Sequence, residues 1–208
     1  MDRKSTPHYT EAQLAEKDRQ ELMGIISAQN RRIAELERNA ESDPLTGLLH
    51  KTAAIDKARK FLGGEGKNGF HAVILADIDN FKGINDSRGH LFGDKVITRF
   101  ASLLKTTLNE KNCIIGRAGG DEFFILMKNC MLSDVLSRTG QLRSELGKLC
   151  SSGGCGFVSC SLGVSCFPSD SRDLNVLYEY ADRALYRSKD DGKNRCTVYD
   201  SSMGKHYL

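Results

Sequence analysis

Two sets of carboxylates stand at the ends of short apolar runs in this chain. Asp77 closes AVILAD (72–77), and Asp121-Glu122 follow Gly119-Gly120 directly ahead of FFILM (123–127). Both runs are rich in branched or aromatic residues, which is the pattern of strands buried on both faces. A carboxylate beside such a strand is costly unless a cation or hydrogen-bond donors compensate it. A divalent cation shared by Asp77, at the exit of the first strand, and Asp121, at the start of the second, would do so, and magnesium takes one or two carboxylates together with phosphate oxygens. Gly119-Gly120 suits a tight antiparallel turn, because glycine reaches positive φ and lets a phosphate approach the backbone. The plainer alternative is a Gly-Gly hairpin followed by two solvated acids. Against it stands the segment after the first strand, where Asp77, Asp79, Lys82, Asn85, Asp86, His90 and Asp94 crowd together. The chemistry these types support is metal-assisted reaction on a nucleotide.

The elements that must hold these residues can be read in outline. Lys51–Leu62 has a helical pattern, 63–69 is a glycine-rich loop and 70–77 is a strand. Phe92, Val96, Phe100 and Leu104 mark a helix over 91–108, followed by strand, turn and strand over 112–128. Leu132 to Leu149 is helical, 156–167 a strand, Leu174, Leu177, Ala181 and Leu185 a further helix, and 196–199 a last strand. The order α-β-α-β-β-α-β-α-β implies an α/β (α+β) sandwich, a mixed central sheet flanked by helices. The loop GGEGKNG (63–69) is not a phosphate loop: it lacks the first glycine and the Ser/Thr, and it runs from helix to strand.

Ahead of this lies a tail (1–9) and an amphipathic helix over 10–42. Its seven-residue pattern places Leu22, Gln29 and Leu36 at one seam position and Ile26, Ile33 and Ala40 at the other. This predicts a coiled-coil stalk for a parallel homodimer, ending at Asp43-Pro44, where proline disfavours further helix. A helix lying on its own domain is the alternative. Residues 201–208 read as a C-terminal tail.

At 208 residues the chain can bury one full core, and its net charge of +3 is too small to indicate nucleic-acid binding. No run approaches the roughly 18 apolar residues of a membrane span, and the polar start lacks a signal-peptide core, which implies a soluble, cytoplasmic protein. Seven cysteines, an odd number, read as reduced thiols. Cys150, Cys155, Cys160 and Cys166 cluster without C-x-x-C pairing, and the two in the 156–167 strand are read as facing opposite ways, so a zinc site is not expected.

DIDNFKGINDSRGHLFGD (77–94) with RAGGDEF (117–123) resembles the GGDEF family, the diguanylate cyclases. DPLTGL (43–48) resembles the segment that opens such domains, SCSLGVSCFP (159–168) the late strand, and ADRALYRSKDDGKNR (181–195) the closing helix and its phosphate-contacting end. The resemblance spans about 43–200 and implies a palm-like fold, as in nucleotide cyclases and polymerases. It implies condensation of two GTP into cyclic di-GMP by attack of a ribose 3′-hydroxyl on an α-phosphate, with pyrophosphate released. Two Mg²⁺ ions, replaceable by Mn²⁺, would be held by Asp77, the backbone carbonyl of Ile78 and Asp121, with Glu122 auxiliary. Asp121 matches the position of the proton acceptor, although solvent could take that proton, and Lys82 the position that stabilises the transition state. Asn85 and Asp94 match guanine-recognising positions. His90 matches a substrate contact or else caps the following helix. Phe81, Gly119 and Gly120 complete the nucleotide site. Lys189 and Lys193 match the phosphate-contacting pair, with Lys193 standing where arginine is usual. Glu110 and Cys113 replace the R-x-x-D pair through which many members bind product, implying no product inhibition there. The implied partners are GTP, a second copy of the chain through the helical stalk, and a sensor domain or separate regulator. The competing readings are a degenerate domain that binds nucleotide without turnover and a cyclase with altered base choice.

Overall fold

The computed structural model describes residues 19–32, 41–152 and 158–203. Contacts divide the chain into two units, Met1–Glu41 and Ser42–Leu208. In the first, residues 19–32 form helix α1, whose Leu22, Met23, Ile25 and Ile26 are all exposed. Of the seam positions, Leu22, Ile26 and Gln29 fall on α1, whereas Ile33, Leu36 and Ala40 lie outside the described residues.

The second unit is built on six strands: β1 (Leu49–His50), β2 (His71–Ile78), β3 (Cys113–Gly119), β4 (Glu122–Met127), β5 (Cys160–Phe167) and β6 (Cys196–Val198). They form one sheet in the order β1-β3-β4-β2-β5-β6. The β1–β3 and β5–β6 pairs are parallel and the three central pairs antiparallel, so the sheet is mixed. Its helices are α2 (Lys51–Gly63), α3 (Phe81–Arg88), α4 (His90–Thr107), α5 (Leu132–Ser152) and α6 (Leu174–Asp190).

The two-residue period of β2 sorts the core. Ala72, Ile74, Ala76 and Ile78 face one layer with Val96, Phe100 and Leu104 of α4 and Leu142 and Leu146 of α5. Val73 and Leu75 face the other, with Ala54, Ala58 and Leu62 of α2 and Leu177, Ala181 and Leu185 of α6. All eight residues of β2 are buried, as expected of a strand covered on both sides.

Each strand and helix expected in this unit is present within a few residues, but α3, β1 and a 3-10 turn at Glu110–Asn112 were not expected. Residues 158–159 precede β5 as irregular chain. Cys160 and Cys166 share one face of β5 with Leu162 and Val164, contrary to the sequence reading, because six residues is an even number of strand steps. Cys113, Cys130, Cys160, Cys166 and Cys196 are free thiols, and burial pushes all five up, Cys113 to about 12. Cys155 lies outside the described residues.

Candidate functional site

The site forms where β2 and β4 end together. Asp77 and Glu122 are direct cross-strand partners, and Asp121 lies in the turn next to them, its carbonyl accepting a hydrogen bond from Ile78 N–H at 3.3 Å. Gly119 pairs with Glu122, so the two-residue turn is Gly120-Asp121, and Asp121 is a turn residue rather than the first residue of the strand. Gly120 has φ +50°, a left-handed conformation that glycine adopts without strain. The turn is tied down by Arg117, whose Nε and Nη2 donate to the Gly120 carbonyl at 2.9 and 2.7 Å. Nη1 of the same guanidinium reaches Asp43 Oδ2 at 3.1 Å. Asp43 also accepts from Thr46 N–H and Oγ1 at 2.8 and 2.7 Å. Burial would raise its carboxyl, but the Thr46 bonds and the Arg117 charge together hold it below the ordinary carboxylate value.

Asp77 shows the opposite balance. Desolvation pushes it up to about 6 despite the Lys189 ammonium 2.7 Å from Oδ2, and the charges of Asp121 and Glu122 add to the rise. Like charges opposite one another on antiparallel strands repel. Three carboxylates at one sheet end, one of them with 6% exposure, suit a hard cation. Among the described residues no three His, Cys, Asp or Glu side chains converge into a ready-made cage. The donor set fits Mg²⁺, which takes one or two carboxylates and completes its shell with water and substrate oxygens.

The cations come from the C-terminal end of α6. Besides Asp77, Lys189 acts electrostatically on Asp182 of the same helix, whose carboxyl partial desolvation raises. Lys193 donates from Nζ to Asn80 Oδ1. The turn that carries Lys193 is anchored by Asp79, a residue without an assigned role in the sequence reading. Asp79 is buried and accepts from Ser159 Oγ and Ser161 Oγ, each at 2.6 Å, and from Asn194 N–H at 3.0 Å. Its own N–H donates to the Ser159 carbonyl at 2.9 Å. One carboxylate therefore joins the end of β2, the start of β5 and the turn between α6 and β6.

The nucleotide-contacting candidates lie on α3 and α4. Lys82 is exposed on the first turn of α3. Asn85 presses on Gly93 of α4, where an added Cβ would lie 2.0 Å from Asn85 Oδ1 and 3.0 Å from Phe81 Cζ. Only glycine permits this approach, and Asp94 is the next residue on α4. Asn85 Oδ1 is buried and has no hydrogen-bond partner among the described residues, so the corner holds an acceptor that a donor on a base would satisfy. Helix α4 begins on His90 with Gly89 as its N-cap, and no side chain caps it, so His90 is not a cap. It stands exposed in the first turn.

The structure thus brings Asp77, Ile78, Asp121, Glu122, Lys189 and Lys193 to one sheet end and places Phe81, Asn85 and Asp94 at the α3–α4 corner. Glu110 and Cys113 border a separate open cleft of about 470 Å³ with Lys57, Lys105 and Lys111. Cys113 is buried there, its thiol donating to the Leu108 carbonyl at 3.2 Å.

A mixed sheet covered by helices, with acids and lysines gathered at the end of its central strands, defines a palm-like nucleotide domain. The chain belongs to the GGDEF family: the family model described as diguanylate cyclase, GGDEF domain, matches residues 40–195. It is 32% identical over 173 residues to the cyclic di-GMP phosphodiesterase PdeR of Escherichia coli, covering 80% of this chain and 25% of that protein. It is 30% identical over 202 residues to the diguanylate cyclase DgcP of Pseudomonas aeruginosa, covering 86% and 29%. The chain therefore spans between a quarter and a third of the length of these relatives. The crystal structure of the coiled coil and GGDEF domain of DgcB from Caulobacter crescentus, in complex with c-di-GMP, superposes with a TM-score of 0.76 at 26% identity, covering 88% of this chain and 98% of that one.

Proposed function

We propose that the chain is an active diguanylate cyclase that condenses two GTP molecules into cyclic di-GMP. The observation that carries this reading is the desolvated Asp77 facing Glu122 across β2–β4, beside Asp121 and within reach of Lys189. Asp77, Asp121, Glu122 and the Ile78 carbonyl would hold Mg²⁺ or Mn²⁺, which when bound supplies Lewis acidity at the attacking and leaving oxygens of the displacement. Asp121, at the position that matches the family's proton acceptor, would take the 3′-hydroxyl proton. Lys82 supplies a compact positive charge toward the reacting phosphate, and Lys189 and Lys193 hold the outer phosphates. Asn85 and Asp94 select guanine by hydrogen bonds that adenine cannot return, and a site built on such bonds penalises the wrong base because its own polar groups are left unpaired. His90 and Phe81 border the base, and Gly119 and Gly120 admit the phosphates.

One palm holds one substrate, so turnover requires a second copy facing the first, with α1 contributing to the dimer. No described helix is long and apolar enough to cross a membrane, and the cytoplasm, where GTP is plentiful, is the compartment that this chemistry suits. With Glu110 and a buried Cys113 in place of R-x-x-D, product does not inhibit through that cleft.

Product analysis tests the reading. Purified protein with Mg²⁺ and a GTP/ATP mixture, resolved by liquid chromatography and mass spectrometry, is expected to yield cyclic di-GMP, with no adenine-containing product and none at all from Asp121→Ala. Added cyclic di-GMP is expected to leave the rate unchanged. GTP binding without product, under forced dimerisation as well, would favour a nucleotide-binding module without turnover.

A further inference from the structure

Lys189 Nζ lies 2.7 Å from Asp77 Oδ2, on a side chain that is 37% exposed, while the carboxylate is 9% exposed. A magnesium ion bound to the same carboxylate would set a second positive centre beside the ammonium, and at that range the two repel. The lysine and the metal ion therefore compete for the charge of one carboxylate. A lysine displaced from Asp77 has lost its ion-pair partner, while Asp182 of the same helix still acts on it electrostatically. The outer phosphates of a nucleotide would supply a new one. Lys193 is arranged in the same way, with Nζ on Asn80 Oδ1, three residues after Asp77.

We propose that Lys189 is an internal counter-cation that competes with the divalent ion for Asp77, so that metal ion and triphosphate load the site together. The inference rests on the reading of the site given above and adds its loading order. Metal alone must weaken an ion pair without supplying a new anion for the lysine. Metal with nucleotide transfers the lysine from carboxylate to phosphate. The coupling is reciprocal, so nucleotide affinity gains from metal by the same factor as metal affinity gains from nucleotide.

The test is calorimetric titration of the full chain with Mn²⁺, with and without a non-hydrolysable GTP analogue, in wild type, Lys189→Met, Lys189→Arg and Asp77→Asn. Lys189→Met is expected to bind Mn²⁺ alone about tenfold more tightly than wild type, equal to roughly 1.4 kcal/mol, and to show a smaller gain on adding the analogue. Lys189→Arg, which keeps the charge, is expected to bind Mn²⁺ alone as wild type does. Equal Mn²⁺ affinity in wild type and Lys189→Met overturns the proposal, as does an arginine variant that behaves like the methionine one. Mn²⁺ binding that survives Asp77→Asn, or no binding even with the analogue, overturns the site reading and this inference together.

Discussion

Asp77 carries a charge that its surroundings resist. Its folded-state value of about 6 lies above the 3.8 of a free aspartate, so between those pH values the folded chain holds the proton more firmly than the unfolded chain does. The sign follows: this stability is fully present below about pH 4 and is lost as pH rises through about 6. Asp77→Asn should therefore be clearly more stable than wild type at pH 7.5 in chelator, and this advantage should shrink steadily toward pH 4. Its upper limit is about 3 kcal/mol, two pKa units at roughly 1.4 kcal/mol each. Urea unfolding at the two pH values checks this, and an asparagine variant less stable than wild type at pH 7.5 contradicts it. A site that weakens its own fold in this way is common where function needs a desolvated charge. The same carboxylate was legible in the sequence because it ends an apolar run. Asn85 was legible only through resemblance, since nothing in its neighbours announces that Gly93 will press on it.

At the scale of elements, Arg117 links three segments by its side chain alone: the turn at Gly120, the Asp43 carboxylate and its own strand β3. Both partners of the ion pair are largely buried, with side chains 15% and 12% exposed. Removing one partner strands the other, so Arg117→Ala should cost about 2–3 kcal/mol in chemical denaturation, somewhat below the 3–5 of a fully buried pair. A loss under about 0.5 kcal/mol would show the pair to be no more than a surface contact. Their pairing could not be read in advance, because Asp43 and Arg117 are 74 residues apart and nothing within DPLTGL or RAGGDEF tells that one reaches the other. Helix α3 escaped for a different reason. FKGINDSR has no fully buried residue and includes glycine, asparagine, aspartate and serine, all weak helix formers, so its two turns depend on packing against α4. The long apolar elements were legible because period and burial coincide in them, whereas the two residues of β1 are too few to carry a period.

At the scale of the molecule, the proposed need for two copies would tie activity to concentration. If residues 1–41 raise the local concentration of the second half-site, their deletion should lower the specific activity steeply at nanomolar protein and little at high micromolar protein. Rates measured across that range, with and without the segment, decide the matter, and equal rates throughout would remove α1 from the assembly. The strand order has a further consequence. β2 and β4, which carry the acids, each have paired strands on both sides, while β6, next to the turn that carries Lys193, is a three-residue edge strand. Local opening costs least at edges and most at the centre of a sheet. Separating β6 from the sheet should therefore cost less than separating β2 from β4.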